Sequence, residues 1–319
     1  MTTSAQKKFA PTDPLIQELL GAFDNVNGLH PGFRAAHAKG VMCSGTFTPA
    51  AGATELTRAP HIARPSTSVV VRFSNFAGVP TVPDNDVNGA SPRGMAIRFQ
   101  LADHVHTDVI AHSTDGFPAS NAADFLGFLR AVAESGPEAR HPTPIEQFLS
   151  THPRALAFVM APKPIPTSFA HESFFGRAPY RFTNTAGLSR FGRFRVRPVA
   201  GNEYLSTDDA AKKTENFLMD EIAVRLAREP VEFQIVVQIA GAGDPVDDVA
   251  ADWPTSREEL TFGTVTLTSM ENHLDPELRK VIFDPIPRVD GIEASDDPLL
   301  EVRAAIYLAS GRRRRAAAT

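Results

Sequence analysis

The amino-acid sequence predicts an α+β fold with a mainly antiparallel sheet. Segments with strand patterns occur in groups, and helical segments separate the groups instead of alternating with single strands. No glycine-rich phosphate motif follows a predicted strand, which disfavours a doubly wound nucleotide-binding sheet. Of the 319 residues, 42% are apolar and 22% are charged, so the chain can build an ordinary globular core.

The first half of the chain contains three predicted strands between helices. Residues 14–23 form an amphipathic stretch, which predicts a short helix. β-Branched and large apolar residues then predict strands at 69–73, 95–100 and 105–111. Helical spacing of apolar residues predicts three further helices at 122–134, 144–150 and 154–160.

The second half returns to strand patterns after Pro166. Alternation of apolar and polar residues predicts strands at 178–183, 193–197, 231–240 and 260–268. A long helix is predicted over residues 209–229, because three capping residues precede it and Pro230 ends it. The last predicted helix covers residues 297–310 and closes at Gly311.

Charge and cysteine content restrict the class of protein further. A net charge of −5 does not favour nucleic acid or membrane surfaces as partners. The single cysteine, Cys43, allows no disulfide within the chain and suits a reducing compartment. No stretch resembles a signal peptide or approaches the roughly 18 apolar residues of a membrane span. We therefore expect a soluble cytoplasmic protein; the sequence does not define its oligomeric state.

Two segments near the N-terminus carry residues suited to chemistry. The first, RAAHAKG at 34–40, places His37 between small residues, where it is either a structural or a functional histidine. The second, VRFSNFAG at 71–78, puts Arg72 inside an apolar strand, and a buried cation needs an anionic partner. That partner is either an acidic side chain of the protein or a carboxylate of a ligand.

A third segment, VRAAIY at 302–307, lies on the last predicted helix. Arg303 and Tyr307 are four residues apart, so both side chains lie on one helix face. A guanidinium beside a phenol favours the phenolate, which is a hard anionic ligand for ferric iron. The spacing is common in helices, so by itself it does not indicate a function.

Together and in this order, the segments resemble those of haem catalases. RAAHAKG resembles the distal-histidine segment, and VRFSNFAG resembles the segment with a haem-carboxylate arginine and a serine that bonds the distal histidine. SPRGMAIRF, at 91–99, matches the Pro-Arg-Gly strand of the family. IFDPIPRVDGIEASDDPLLEVRAAIY, at 282–307, resembles the segment that carries the tyrosine ligand of the iron. The resemblance covers about residues 30–307.

The resemblance implies a role for several individual residues. Tyr307 would be the axial ligand of the iron of haem b, and Arg303 its electrostatic partner. His37 would transfer protons on the distal side, where peroxide binds, and Ser74 would fix its ring. Arg314 lies near the position of a further carboxylate-binding arginine, or belongs to a solvated tail. The other implied haem-binding residues are two arginines for the haem carboxylates and one aromatic ring: Arg34, Arg72 and Phe125.

Three departures from large catalases indicate a subtype. In DVIAHSTDGF, at 108–117, His112 occupies the position of a distal asparagine and joins the implied catalytic set. Arg195 stands near the position of a proximal-side histidine. We also expect the protein to be without the long N-terminal arm, wrapping segment, C-terminal helical region and NADPH site of large catalases. The expected fold is therefore a catalase-like antiparallel β-barrel core with surrounding helices, as in the compact catalase-related peroxidases.

These features predict an activity and a domain plan. We expect a haem peroxidase that reduces hydrogen peroxide or organic hydroperoxides with an organic electron donor, with weak catalase activity. Two alternatives are a fatty-acid hydroperoxide isomerase or dehydratase on the same core, and a haem-binding protein without turnover. The expected units are an N-terminal arm with a short helix (1–29), a haem-binding domain (30–311) and a basic tail (312–319).

Overall fold

The computed structural model describes residues 8–272 and 276–317; residues 1–7 and 318–319, the ends of the predicted arm and tail, lie outside it. The strands in this part are β1 (Gly40–Pro49), β2 (Thr67–Ser74), β3 (Gly94–Ala102), β4 (Val105–His112), β5 (Phe174–Phe175), β6 (Tyr180–Thr183), β7 (Ser189–Pro198), β8 (Val231–Ile239), β9 (Glu259–Met270) and β10 (Ile292–Ala294). The α-helices are α1 (Pro14–Asn27), α2 (Ala53–Leu56), α3 (Val87–Ala90), α4 (Ala122–Ala133), α5 (Pro144–Thr151), α6 (Pro153–Met160), α7 (Thr207–Ala211), α8 (Phe217–Leu226), α9 (Pro276–Lys280) and α10 (Pro298–Ala316).

The strands pair antiparallel into one sheet that closes on itself. Its order is β10–β6–β7–β5–β4–β3–β2–β1–β9–β8, and β8 also pairs with β7. That last pairing closes an eight-stranded barrel and leaves β6 and β10 as an extension beside β7. Closure gives the barrel strands two paired edges, so their backbone polar groups are satisfied within the sheet. The predicted antiparallel barrel with surrounding helices is confirmed.

Phenylalanine fills the interior of the barrel. Alternate residues of a strand face the same side of the sheet, so β2 directs Val69, Val71 and Phe73 inward, all of them buried. The Phe73 ring stacks on Phe169, with 5.0 Å between ring centroids. The other fully buried rings of this core are Phe47, Phe99, Phe174, Phe182, Phe233 and Phe262.

A second hydrophobic core lies among helices α1, α4 and α10. It contains Leu19 of α1, Leu129 of α4 and Ile306 of α10, which are all buried. An ion pair between Asp24 and Arg313 also joins α1 to α10. No helix among the described residues is both long and apolar enough to cross a membrane. These three helices therefore form a layer outside the barrel, and the space between barrel and layer is the place where a ligand can sit.

The prediction of one long helix over residues 209–229 is wrong, because the structure has two helices there, α7 and α8. Carbonyl groups between the two helices accept hydrogen bonds from elsewhere in the chain. Glu215 O accepts from Lys39 Nζ at 2.7 Å and from the backbone N–H of Asp84 at 2.8 Å. Asn85 Nδ2 donates to Lys213 O at 3.4 Å. Because these distant groups satisfy the carbonyls, the chain breaks the helix although the local pattern favours its continuation.

The end predicted for the last helix at Gly311 is also wrong. Helix α10 continues to Ala316, and Gly311 is buried within it. Tertiary contacts hold the additional turn, because Arg313 pairs with Asp24 and Arg314 donates to Val281 O at 3.0 Å. These two arginines are therefore part of the packed structure and not of a solvated tail. The expected division of the chain at residues 29 and 311 stays a prediction.

Strand β1 was not predicted from the sequence patterns. Its sequence, GVMCSGTFTP, contains two glycines and a proline, which are residue types depleted in strands. Pairing with β2 on one side and β9 on the other holds it in the barrel. Cys43 in this strand is fully buried, and burial raises the pKa of its thiol to about 12.

Candidate functional site

A cavity of about 230 Å³ lies between strands β2–β4 and helices α4 and α10. Its lining includes the candidate residues His37, Ser74, His112, Arg303 and Tyr307. Most of the remaining wall is apolar, and aromatic rings contribute much of it: Phe23, Phe76, Phe117, Phe125, Phe128 and Phe158. Four sequence segments that are far apart in the chain thus meet around one apolar cavity.

His37 lies in the segment between α1 and β1 and has a left-handed backbone, with φ of 56°. Its backbone N–H donates to Phe76 O at 2.7 Å, and its Nδ1 lies 3.1 Å from Ser74 Oγ. The imidazole packs edge-on against the Phe76 ring, 5.6 Å between centroids. This backbone conformation is uncommon for residues other than glycine, and the contacts with Phe76 and Ser74 support it here. Tertiary contacts therefore hold the imidazole in the cavity wall.

A glycine on β3 makes room for this arrangement. Ser74, Gly94 and His112 are register partners across β2, β3 and β4. A Cβ atom at position 94 would lie 2.6 Å from Ser74 Oγ and 2.8 Å from His37 Nδ1. Only glycine permits that approach. The sequence interpretation included Gly94 in a matching motif but assigned it no role; a glycine inside a strand pattern is the signal of such a close approach.

The two imidazoles of the cavity are strongly desolvated. Burial lowers the pKa of His37 to about 3, and the positive charge of Arg72 adds to the effect. Burial also lowers the pKa of His112 to about 3, with Arg303 as the next cause. Both rings are therefore neutral near pH 7, and a neutral imidazole has one nitrogen that can accept a proton.

His112 lies at the end of β4 and packs edge-on against the Phe158 ring, with 6.5 Å between ring centroids. Its Nδ1 is buried and has no well-formed hydrogen bond to any described residue. The backbone N–H of Thr114 approaches the ring closely enough to raise its pKa slightly against burial. His112 thus presents polar atoms with spare hydrogen-bonding capacity to a mostly apolar cavity.

Four arginines line the cavity, and two of them, Arg34 and Arg72, have no acidic partner among the described residues. Arg34 donates to Val281 O at 3.0 Å, and Arg72 donates to His37 O at 2.9 Å. Neither forms a salt bridge with a carboxylate in the described part of the chain. Burial lowers the pKa of both, and the nearby charge of Arg314 lowers it further. Buried cations that repel each other need an anion, and the two carboxylates of a haem would supply it.

Tyr307 and Arg303 contribute a phenol and a guanidinium to the cavity from α10. Arg303 Nη2 and Nε lie 3.3 Å and 3.4 Å from Tyr307 Oη. Both side chains line the cavity, so the predicted face of the helix is the one that faces the ligand space. The phenol beside the Arg303 guanidinium, three further arginines and the apolar aromatic wall together fit a haem.

Two further residues singled out in the sequence, Phe125 and Arg195, differ in their position relative to the cavity. Phe125 lines the cavity, its ring centroid 5.4 Å from that of Phe117. Arg195 does not line it; this residue is paired with Asp115 at 3.2 Å and donates to Gln238 Oε1 at 2.8 Å. Arg195 therefore serves a buried polar network beside the barrel and not the cavity wall.

Comparison with known proteins gives consistent results. The family model described as "Catalase" matches residues 17–318. A catalase-related peroxidase of Mycolicibacterium paratuberculosis is 38% identical over 296 residues, which are 92% of each chain. A catalase-related peroxidase of Synechococcus elongatus is 29% identical over 95% of this chain and 89% of its own length.

Two solved catalases share the fold. A fungal catalase superposes with a TM-score of 0.78 at 21% identity, and catalase A from Saccharomyces cerevisiae with 0.77 at 20% identity. Each comparison covers 88% of this chain but only 59% and 61% of the two solved catalases. The chain thus spans about three fifths of their length, whereas it matches the two catalase-related peroxidases almost from end to end. This chain therefore belongs to the catalase family, as a haem peroxidase of its compact, catalase-related branch that acts on peroxide.

Proposed function

We propose that the protein binds haem b in the cavity between β2–β4 and α10 and reduces peroxides with an organic electron donor. The observation that carries the proposal is the meeting of His37, bonded to Ser74, with Tyr307, bonded to Arg303, around one apolar cavity. A haem-binding protein without turnover would have no need of the histidine and serine pair.

The residues of α10 and the arginines would hold the cofactor. Tyr307 would bind the iron through its phenolate oxygen, and Arg303 would stabilise the negative charge on that oxygen. Arg34, Arg72 and Arg314 would pair with the haem carboxylates, and Phe125 would pack against the macrocycle. When bound, the haem supplies an iron that accepts oxidising equivalents from a peroxide and returns to its resting state as a donor is oxidised.

His37 would move the proton that peroxide cleavage requires. The O–O bond breaks heterolytically when one oxygen loses a proton and the other gains it, and one positioned base can do both. In the tautomer we propose, Nδ1–H donates to Ser74 Oγ, so Nε2 carries the lone pair that accepts the proton. Since burial lowers the pKa of His37 to about 3, the imidazole is neutral at neutral pH and its Nε2 lone pair is not occupied by a proton.

The wall around His112 favours an organic donor. Phe117, Phe128 and Phe158 give this wall an apolar surface against which an organic molecule can pack. His112 is a second neutral imidazole with spare hydrogen-bonding capacity, so it would orient a polar group of the peroxide or of the donor. A catalase cycle needs only a second peroxide, whereas a peroxidase cycle needs access for such a donor.

The test is a steady-state assay of the haem-loaded protein with hydrogen peroxide and a substituted phenol. We expect phenol oxidation to exceed oxygen evolution, and the variant His37→Phe to lose both activities by about a hundredfold or more. Rapid oxygen evolution without donor oxidation would contradict the peroxidase assignment. Conversion of a lipid hydroperoxide without any donor would instead indicate an isomerase or dehydratase.

A further inference from the structure

Three separate segments must keep their relative positions for His37 to lie where it does. His37 stands in the irregular segment before β1, Ser74 ends β2, and Gly94 begins β3. The imidazole lies against both strands, because a Cβ atom at position 94 would be 2.8 Å from His37 Nδ1. Each of the three residues has a neighbour one or two positions away that belongs to a buried polar cluster behind the cavity: Lys39, Asn75 and Arg93.

Asp84 connects these three neighbours. Its Oδ1 lies 2.8 Å from Lys39 Nζ and accepts from Asn75 Nδ2 at 2.7 Å. Arg93 donates to Asn75 Oδ1 through Nη1 and to the main-chain oxygen of Asp84 through Nη2. The second carboxylate oxygen, Oδ2, accepts from the backbone N–H of Leu218 in the first turn of α8 at 2.9 Å.

The cluster is dry and does not belong to the cavity. The side chains of Asp84, Asn75 and Arg93 have no solvent exposure, and that of Lys39 is 9% exposed. None of the four lines the cavity. In such surroundings both oxygens of the carboxylate are needed, because each buried donor left without an acceptor destabilises the arrangement.

We propose that Asp84 is a positioning residue, which holds His37 against Ser74 and Gly94 by joining the three segments that carry them. The proposal rests on the proposed proton-transfer role of His37. The left-handed backbone of His37, with φ of 56°, is uncommon for a residue other than glycine, so contacts that fix this segment also fix the direction of the imidazole. A backbone hydrogen bond from Asn75 N to Lys39 O, 3.1 Å long, joins two of the segments directly. The cluster connects the third segment through Arg93.

A buried ion pair can instead serve stability alone, so the test must separate position from stability. Asp244 offers a matched control: its carboxylate is 7% exposed and accepts from Arg257 Nε and Nη2 and from Gly241 N, but it lies outside the cavity and the cluster. The variants Asp84→Asn and Asp244→Asn each replace one carboxylate by an amide of the same shape.

The readout is the rate of cyanide association with the haem-loaded ferric protein, followed by stopped-flow absorbance, together with the unfolding midpoint of each variant. Hydrogen cyanide gives up its proton on binding, so the rate reports a base in the correct position. We expect Asp84→Asn to slow association by about tenfold to a hundredfold, and Asp244→Asn to leave the rate unchanged at a similar loss of stability. In a His37→Phe background, Asp84→Asn should have no further effect, because the two residues act through one imidazole.

The outcomes distinguish the two proposals. If His37→Phe does not slow cyanide association, the role of His37 is wrong and the inference falls with it. If His37→Phe slows it but Asp84→Asn does not, or if Asp84→Asn and Asp244→Asn slow it equally, only the positioning role is overturned. Should Asp84→Asn fail to fold, Lys39→Met removes the least buried member of the cluster and carries the same expectation.

Discussion

Single residues on α10 and in the cavity wall illustrate how a weak local signal becomes specific. The spacing of Arg303 and Tyr307 is common in helices, and an isolated histidine such as His37 is often structural. In the structure, the guanidinium lies within 3.4 Å of the phenol oxygen and the imidazole within 3.1 Å of Ser74 Oγ. Each side chain therefore gains its chemical role from a hydrogen-bonded neighbour. Both pairs line the same cavity.

The residue with the most direct prediction is Tyr307. We expect haem-loaded Tyr307→Phe to lose the absorption signature of ferric tyrosinate, because phenylalanine has no oxygen that can bind iron. Tyr180→Phe is the control: Tyr180 is buried and donates to Pro285 O at 3.0 Å, but it does not line the cavity. A visible spectrum that is unchanged in Tyr307→Phe, or changed as much in Tyr180→Phe, would show that another group binds the iron.

At the scale of the element, α10 shows how a neighbour can override a local preference. Glycine ordinarily destabilises the interior of a helix by roughly 0.5–1 kcal/mol relative to alanine. Gly311 nevertheless lies inside α10, where a Cβ atom would approach Ile282 Cδ1 to 2.2 Å. Ile282 therefore occupies the space that a side chain at position 311 would need, which explains why the helix has a glycine there.

The substitution Gly311→Ala should therefore destabilise the protein, although alanine is the better helix former. Overpacking against Ile282 costs about 1–3 kcal/mol and exceeds the gain in helix propensity. Gly21→Ala, in the middle of α1, is the matched control, because nothing lies within 4 Å of a Cβ atom there. Urea denaturation should show a lower free energy of unfolding for the first variant and a slightly higher one for the second. A stabilised Gly311→Ala would mean that Ile282 moves aside freely.

For the whole molecule, buried histidines couple stability to pH. His61 lies in the barrel core, stacked on Phe99 with 4.7 Å between ring centroids, and burial lowers its pKa to about 4. Below the unfolded-state value near 6.5, the unfolded chain binds a proton that the native ring does not. This contribution to stability is complete above pH 6.5 and is lost as the pH falls towards 4. Glu172, whose pKa is raised to about 7 by burial, acts in the opposite direction.

The variant His61→Leu removes this term. Between pH 6.5 and pH 4 its free energy of unfolding should fall by about 3 kcal/mol less than that of the wild type. His104→Asn is the control, since His104 is exposed and asparagine tolerates its left-handed backbone conformation. The measurement is chemical denaturation of the haem-free protein at a series of pH values. Parallel pH curves for wild type and His61→Leu would disprove the coupling.

The sequence by itself determined the local elements and the residues from which a site can be made. Periodicity places most strands and helices within a few residues, because alternation and helical spacing are properties of adjacent residues. The order of the segments around His37, Arg72 and Tyr307 was sufficient to indicate the family, because a sequence motif can be identified without knowledge of the fold around it.

Tertiary structure alone decided the closure of the barrel, the ends of the helices and the geometry of the cavity. Three features depend on contacts between residues that are distant in sequence. They are the pairing of β7 with β8, the break between α7 and α8, and the approach of His37 to Gly94. A local pattern carries no information about which distant group will satisfy a given carbonyl or occupy the space of a missing Cβ. For that reason the sequence contains the residues of the site, whereas only the folded chain brings four arginines, two imidazoles and one phenol around a common cavity.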